Sequence, residues 1–151
     1  MSIVIAVDID GVLADFQHKL LDSIEKLYGI SVNNNAIRAW DLKHALGISD
    51  DEERALMQAI FADNDNFPLV PAARAGCTTL KEQGFEVIAV TARRDVDITY
   101  EWLQMNELGF IGPYFMTLTG DIPSFDYLLD DSPKKIARLV HKTKKQAFLF
   151  S

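Results

Sequence analysis

Apolar residues 3–7 run unbroken into Asp8, and residues 85–90 repeat the pattern almost as cleanly before Thr91. Continuous runs of this length predict strands buried on both faces, the habit of a parallel sheet. Shorter stretches at 114–118, 127–129 and 146–150 predict three more strands. Elsewhere the apolar spacing changes from one to three and four. Leu13, Phe16, Leu20, Ile24, Leu27 and Tyr28 predict a helix stopped by Gly29, the residue type that tolerates a left-handed C′ position. Ser49 and Glu52 have capping-box spacing ahead of Leu56, Met57, Ile60 and Phe61. Pro71 opens a helix that runs to about Gln83 and stops at Gly84, and Asp95 caps one that carries Tyr100, Trp102 and Leu103 to near Gly109. Ser132-Pro133 starts the last helix, with Ile136, Leu139 and Val140 at core spacing.

From residue 71 onward strands and helices alternate, which predicts an α/β fold: a Rossmann-like parallel sheet with helices on both faces. Residues 17–70 are helical and interrupt the alternation after the first strand. In such sheets ligands bind outside the carboxyl ends of the strands. Three predicted strand ends carry polar groups there: Asp8 and Asp10, Thr91, and Asp130 with Asp131. Asp8 and Asp10 share a side of the extended chain, and two charges so close call for a cation or a shared proton. The pair alone is equally readable as a Mg²⁺ site or as a polar strand end with an acidic turn.

Composition narrows the function classes. A length of 151 residues suits one core with a modest insertion. A net charge of −7 argues against a nucleic-acid surface, while a small phosphorylated substrate stays compatible if a metal and a few local cations outweigh that charge. No apolar run approaches the roughly 20 residues that span a bilayer, and the first run is short for a signal peptide and lacks a basic leader. The single cysteine, Cys77, fits a reducing cytoplasm and sits at a core-facing position. His18, His44 and His141 have no ligand spacing and read as surface residues.

The string Asp8-Ile9-Asp10-Gly11-Val12-Leu13-Ala14-Asp15-Phe16 resembles motif I of the haloacid dehalogenase superfamily of phosphotransferases. Its second half, Val12-Leu13-Ala14-Asp15-Phe16, is similar more narrowly to the 5′(3′)-deoxyribonucleotidases and their bacterial relatives. The resemblance implies a core of residues 1–16 and 71–151, with residues 17–70 as a small helical C1-type cap that selects the substrate. It assigns Thr91 to motif II and Asp130-Asp131 to motif IV. Asp8 is then the nucleophile that forms an aspartyl-phosphate, and Asp10 is the general acid and base. Mg²⁺ is held by Asp8, the Asp10 carbonyl and one of Asp130 or Asp131. Thr91, with Ala92 and Arg93 behind it and the backbone turn at Gly11, binds the phosphoryl group. The implied substrate is a nucleotide or sugar phosphate.

One departure from the family stands out. Motif III supplies a lysine shortly before motif IV, yet no Lys or Arg lies between Arg94 and Asp130. Losing one such donor costs on the order of 10²–10³ in rate. Lys134, Lys135, Arg93 and Arg94 are the available substitutes, and Lys134 is the preferred one. The other reading is a phosphate- or nucleotide-binding relative without catalysis. Phe16 and Trp40, in or next to the cap segment, are the candidate base-stacking residues.

Overall fold

The computed structural model describes residues 2–32 and 42–150. Five strands, β1 (Val4–Val7), β2 (Glu86–Thr91), β3 (Gly112–Phe115), β4 (Tyr127–Asp130) and β5 (Gln146–Leu149), form one sheet in the order β3-β2-β1-β4-β5. Every pairing is parallel. The chain steps outward from β1 through β2 to β3, then returns to the other side of β1 for β4 and β5. Right-handed crossovers in opposite directions put their helices on opposite faces, and the order reverses at β1 and β4. In open sheets of this kind ligands bind at the carboxyl ends of the strands flanking such a reversal.

The helices of this unit are α4 (Ala73–Glu82), α5 (Val96–Met105), α6 (Met116–Thr119) and α7 (Pro133–Thr143). Ala6, Ile88, Val90 and Leu128 form one sheet face, on which Leu139 and Ile136 of α7 pack together with Phe125. Because side chains alternate along a strand, Asp8 and Asp130, each two residues beyond a member of that face, continue it to the carboxyl edge of the sheet.

The contacts divide the chain into two units, residues 1–14 with 69–151, and residues 15–68. The second is helical among its described residues: α1 (Phe16–Tyr28), α2 (Leu42–Leu46), α3 (Asp50–Ala62) and a 3₁₀ turn at Asn64–Asn66. Phe16, Phe61 and Phe67 cluster at ring separations of 5.7, 6.4 and 6.1 Å, and Leu20, Ile24, Leu56 and Ile60 are buried in the same unit. The Ser49–Glu52 capping box forms as its spacing predicts, and Gly29 closes α1 at φ 66°.

Three boundaries differ from the sequence reading. The third strand covers Gly112–Phe115 rather than 114–118, because β2 ends at Thr91, opposite Phe115, and offers nothing further to pair with. Met116–Thr119 coils into a helical turn instead. Pro113 is tolerated because β3 is an edge strand. Helix α5 stops at Met105, short of Gly109: the Asn106 amide caps the Trp102 carbonyl at 2.8 Å, and Glu107 adopts the left-handed φ of 60° usually left to glycine. Helix α4 begins two residues after Pro71, behind Ala72 at φ 65°.

Candidate active site

Four carboxylates and two cations meet at the switch point. Asp8 follows β1 and is 8% exposed; Asp130 ends β4 and is fully buried. The register that pairs Val7 with Leu129 sets these two strand ends side by side, and Asp8 N–H donates to the Leu129 carbonyl at 2.9 Å. Asp131 follows directly. Asp8, Asp130 and Asp131 each present an oxygen within 4.8 Å of the others.

Lys135 enters this cluster from the first turn of α7. Its Nζ lies 3.0 Å from Asp8 Oδ1 and 2.8 Å from Asp130 Oδ2, and it donates to the Val90 carbonyl at 2.9 Å. Ser132 caps the helix, accepting from Lys135 N–H at 3.3 Å while its own N–H donates to Asp130 Oδ1 at 2.9 Å. That knot of bonds fixes the helix start against the strand end. Lys134, the preferred substitute from sequence, is exposed and forms no ion pair among the described residues. The reason is helical geometry. Lys135 lies one turn before buried Leu139 and shares its face, whereas Lys134 lies one turn before exposed Arg138. The i to i+4 relation was readable in the sequence and identifies the lysine that points inward.

The electrostatics follow from this crowding. Burial pushes the Asp8 carboxyl well above its usual range; the Lys135 ammonium opposes that shift, and Asp130 and Asp10 add to it. Asp131 is raised by burial and then by Asp130. Burial alone would lower Lys135, but Asp8 and Asp130 outweigh it and keep the ammonium charged beyond its ordinary range.

Asp10, at the tip of the β1 turn, is paired with Arg93. Arg93 Nε donates to Asp10 Oδ2 at 2.9 Å and Nη2 donates to Oδ1 at 2.7 Å. Thr91 ends β2 with no exposure and accepts from Arg93 N–H at 3.0 Å. Ala92 and Arg94 are exposed, and the Ala92 carbonyl accepts from Thr117. Gly11 differs from its expected part. Its N–H donates inward to the Ala14 carbonyl at 2.9 Å, and the Val12 N–H to Ile9, so neither forms a nest for an anion. What Gly11 supplies is space: at φ +88° it lies so close to Asp131 that a methyl group there would overlap the carboxylate.

The residues fit a divalent cation. Asp130 Oδ2 has the Lys135 ammonium beside it yet no aligned hydrogen bond, a buried acceptor left without one. Asp131 has no salt bridge among the described residues, and Arg93 is engaged by Asp10, so four carboxylates face two cations. Oxygen-only donors of this kind suit Mg²⁺. Phe16 lies in the other unit, 7% exposed against Phe61 and Phe67, and Trp40 lies outside the described residues. His18, His44 and His141 are exposed, and Cys77 is buried, its thiol pushed up to about 11 by that burial. Among the described residues no helix is long and apolar enough to cross a membrane.

The profile of the family described as 5′ nucleotidase, deoxy (pyrimidine), cytosolic type C protein matches residues 2–150. A candidate 5′(3′)-deoxyribonucleotidase of Staphylococcus aureus strain Mu50 is 28% identical over 141 residues, which span 87% of this chain and 75% of that protein. A Staphylococcus epidermidis counterpart is 27% identical over the same length. Among solved structures, a haloacid dehalogenase-like family hydrolase of Streptococcus pneumoniae superposes with a TM-score of 0.67 at 15% identity, covering 99% of this chain and 85% of that one. A Bacillus subtilis candidate hydrolase of the same superfamily, solved bound to magnesium, gives 0.56 at 16% identity over 87% and 80%.

Proposed function

The chain belongs to the cytosolic type C 5′ nucleotidase family of the haloacid dehalogenase superfamily, and from that premise we propose a Mg²⁺-dependent phosphomonoesterase that works through an aspartyl-phosphate on Asp8. The substrate we assign is a (deoxy)nucleoside monophosphate. The observation that carries the mechanism is the convergence of Asp8, Asp130 and Asp131 around Lys135, from opposite ends of the sequence, at the switch point of the sheet.

Asp8 attacks phosphorus, forming one P–O bond as the bond to the leaving alkoxide breaks. Asp10, carrying its proton on an oxygen lone pair that the Arg93 fork leaves free, gives it to that alkoxide, then takes one from the water that hydrolyses the acyl phosphate. Thr91 accepts from Arg93 N–H, which leaves its hydroxyl hydrogen for a phosphoryl oxygen. Lys135 takes the part of the motif III lysine from the opposite side of motif IV: its charge offsets the nucleophile and the phosphoryl oxygens as negative charge shifts in transfer. Asp8, Asp130, Asp131 and the Asp10 carbonyl would hold Mg²⁺, which neutralises the carboxylates and polarises the phosphoryl group when bound. Residues 15–68 we assign the role of the cap that selects the substrate. The buried position of Phe16 favours a part in that unit's core, which leaves Trp40 as the stacking candidate.

Purified protein with Mg²⁺ is expected to release phosphate from a panel of nucleoside monophosphates, with sugar phosphates as comparison, and Asp8→Asn to abolish release. Silence across the panel while Mg²⁺ still binds would overturn catalysis in favour of a nucleotide-binding role.

A further inference from the structure

We infer that Arg93 is the positioning residue of Asp10 and not a ligand of the substrate's phosphoryl group. The inference rests on Asp10 being the acid–base of the proposed reaction. The guanidinium holds both Asp10 oxygens, at 2.9 and 2.7 Å, in a charge-assisted fork. Behind it lies the ring of Trp102, fully buried on α5, with the guanidinium carbon 5.5 Å from the ring centre. The Arg93 side chain is 4% exposed and that of Asp10 is 22% exposed. That asymmetry decides the assignment: the carboxylate is the outer member of the pair and the cation its backing. A phosphoryl ligand would need the reverse order.

The chain of contacts explains why an arginine is needed here. Carboxylate torsions of aspartate are broad and poorly fixed by their own rotamer preferences. Gripped at both oxygens, the group cannot turn about its last bond, so it keeps one aim relative to Asp8. A lysine would supply the charge but only a point contact, and could not stack on an aromatic face with the same fork. Arg93 is itself anchored through its backbone N–H to Thr91, at the end of the adjoining strand. Strand β2, helix α5 and the β1 turn thus share one buried cation, whose effect on the reaction is the orientation of Asp10.

The test varies the leaving group. A p-nitrophenolate departs without a proton, whereas the alkoxide of a nucleoside 5′-monophosphate requires one. Asp10→Asn, measured with Mg²⁺ on both substrates, sets the bias expected from losing the acid. Arg93→Met should show the same bias in smaller degree, kcat falling about tenfold to a hundredfold more on the nucleotide than on p-nitrophenyl phosphate. Inhibition by inorganic phosphate should stay within about twofold. Arg93→Lys should remain defective, and Trp102→Leu should show a weaker form of the same bias. Inorganic phosphate binding weakened tenfold or more (an order of magnitude, beyond any indirect effect) would make Arg93 a phosphoryl ligand and overturn the inference. Full activity in Arg93→Lys would overturn it as well, since charge alone would then suffice. If Asp10→Asn shows no bias, the acid role falls and this inference with it. If Asp10→Asn shows the bias and Arg93→Lys, folded by circular dichroism, does not, the inference alone falls.

Discussion

Lys135 Nζ lies 3.0 Å from Asp8 Oδ1, so the lysine of the last helix reaches the carboxylate that directly follows the first strand, the nucleophile of the proposed reaction. The motif III lysine that the resemblance implies precedes motif IV, whereas Lys135 follows the Asp130-Asp131 pair and still pairs with Asp8 and Asp130. The capped start of α7 makes this possible, because Ser132 ties the helix to Asp130 and fixes where its first turn points. Lys135→Met should lower kcat by about 10²–10³. Lys134→Met, whose side chain is exposed, should leave kcat within about threefold, as expected of a surface position. Steady-state rates on a nucleoside monophosphate check this, and equal losses in the two variants would refute the assignment. Removing one member of a buried pair also destabilises, by about 3–5 kcal/mol, so rates belong well below the variant's melting temperature.

Lys135 and the proposed Mg²⁺ answer the same excess of negative charge, which gives a second expectation free of any rate. With EDTA present, Lys135→Met should melt below the parent protein, because Asp8 and Asp130 then lose their only ion-pair partner among the described residues. With Mg²⁺ the variant should gain more in melting temperature than the parent, because loss of the competing ammonium tightens Mg²⁺ binding and a ligand that binds only the folded state stabilises by RT ln(1 + [L]/Kd). Thermal melts in EDTA and in rising MgCl₂ check both signs. Equal Mg²⁺ shifts in the two proteins would place the metal away from these carboxylates.

Gly11 and Gly84 separate strain from ligand geometry. Both have positive φ, +88° and +91°, so alanine at either position incurs a left-handed penalty of about 1–2 kcal/mol. Only at Gly11 does the added methyl meet something, the Asp131 carboxylate, while Gly84 faces open space. Gly11→Ala should therefore weaken Mg²⁺ binding by about tenfold, the loss of one carboxylate ligand. Gly84→Ala should lower the melting temperature without changing Mg²⁺ affinity. Calorimetric titration of the two variants is the measurement.

The sequence made the strand-end groups legible because a parallel sheet forces every carboxyl end to one edge. Asp8, Asp10, Thr91, Asp130 and Asp131 needed only the alternation of elements to be brought together. The Ser49, Asp95 and Ser132 caps were equally local, each set by a side chain and a backbone N–H three residues apart. The pairing of Arg93 with Asp10 was not local. It depends on β1 and β2 being neighbours, with Val7 opposite Ala89, so that the turns after both strands face each other. The inward turn at Gly11 was hidden for a related reason: whether a turn's N–H groups point to solvent or to its own carbonyls depends on torsions that composition does not fix. The stop of α5 at Met105 escaped because the left-handed residue that follows its cap is a glutamate, Glu107, in a conformation expected of glycine.

Within residues 15–68, the ion pair of Lys19 and Asp63 predicts how that unit responds to acid. Lys19 Nζ lies 2.6 Å from Asp63 Oδ2, with the lysine side chain 3% exposed and the aspartate 39% exposed. The hydrogen bond from Lys19 holds the Asp63 carboxyl below its usual value, partly opposed by burial and helped by Asn66. A lowered carboxylate pKa means that the folded state binds fewer protons than the unfolded chain. The pair's stabilisation is then fully present above the unfolded value of about 4 and is lost as pH falls through the lower folded one. Asp63→Asn should therefore flatten the acid limb of the stability curve below about pH 4 and lower stability at neutral pH, where Lys19 is left buried without its carboxylate. Chemical denaturation between pH 2 and pH 7, a range about the unfolded value, followed by a probe in this unit, would show it. An unchanged acid limb would mean that the pair contributes nothing to folding.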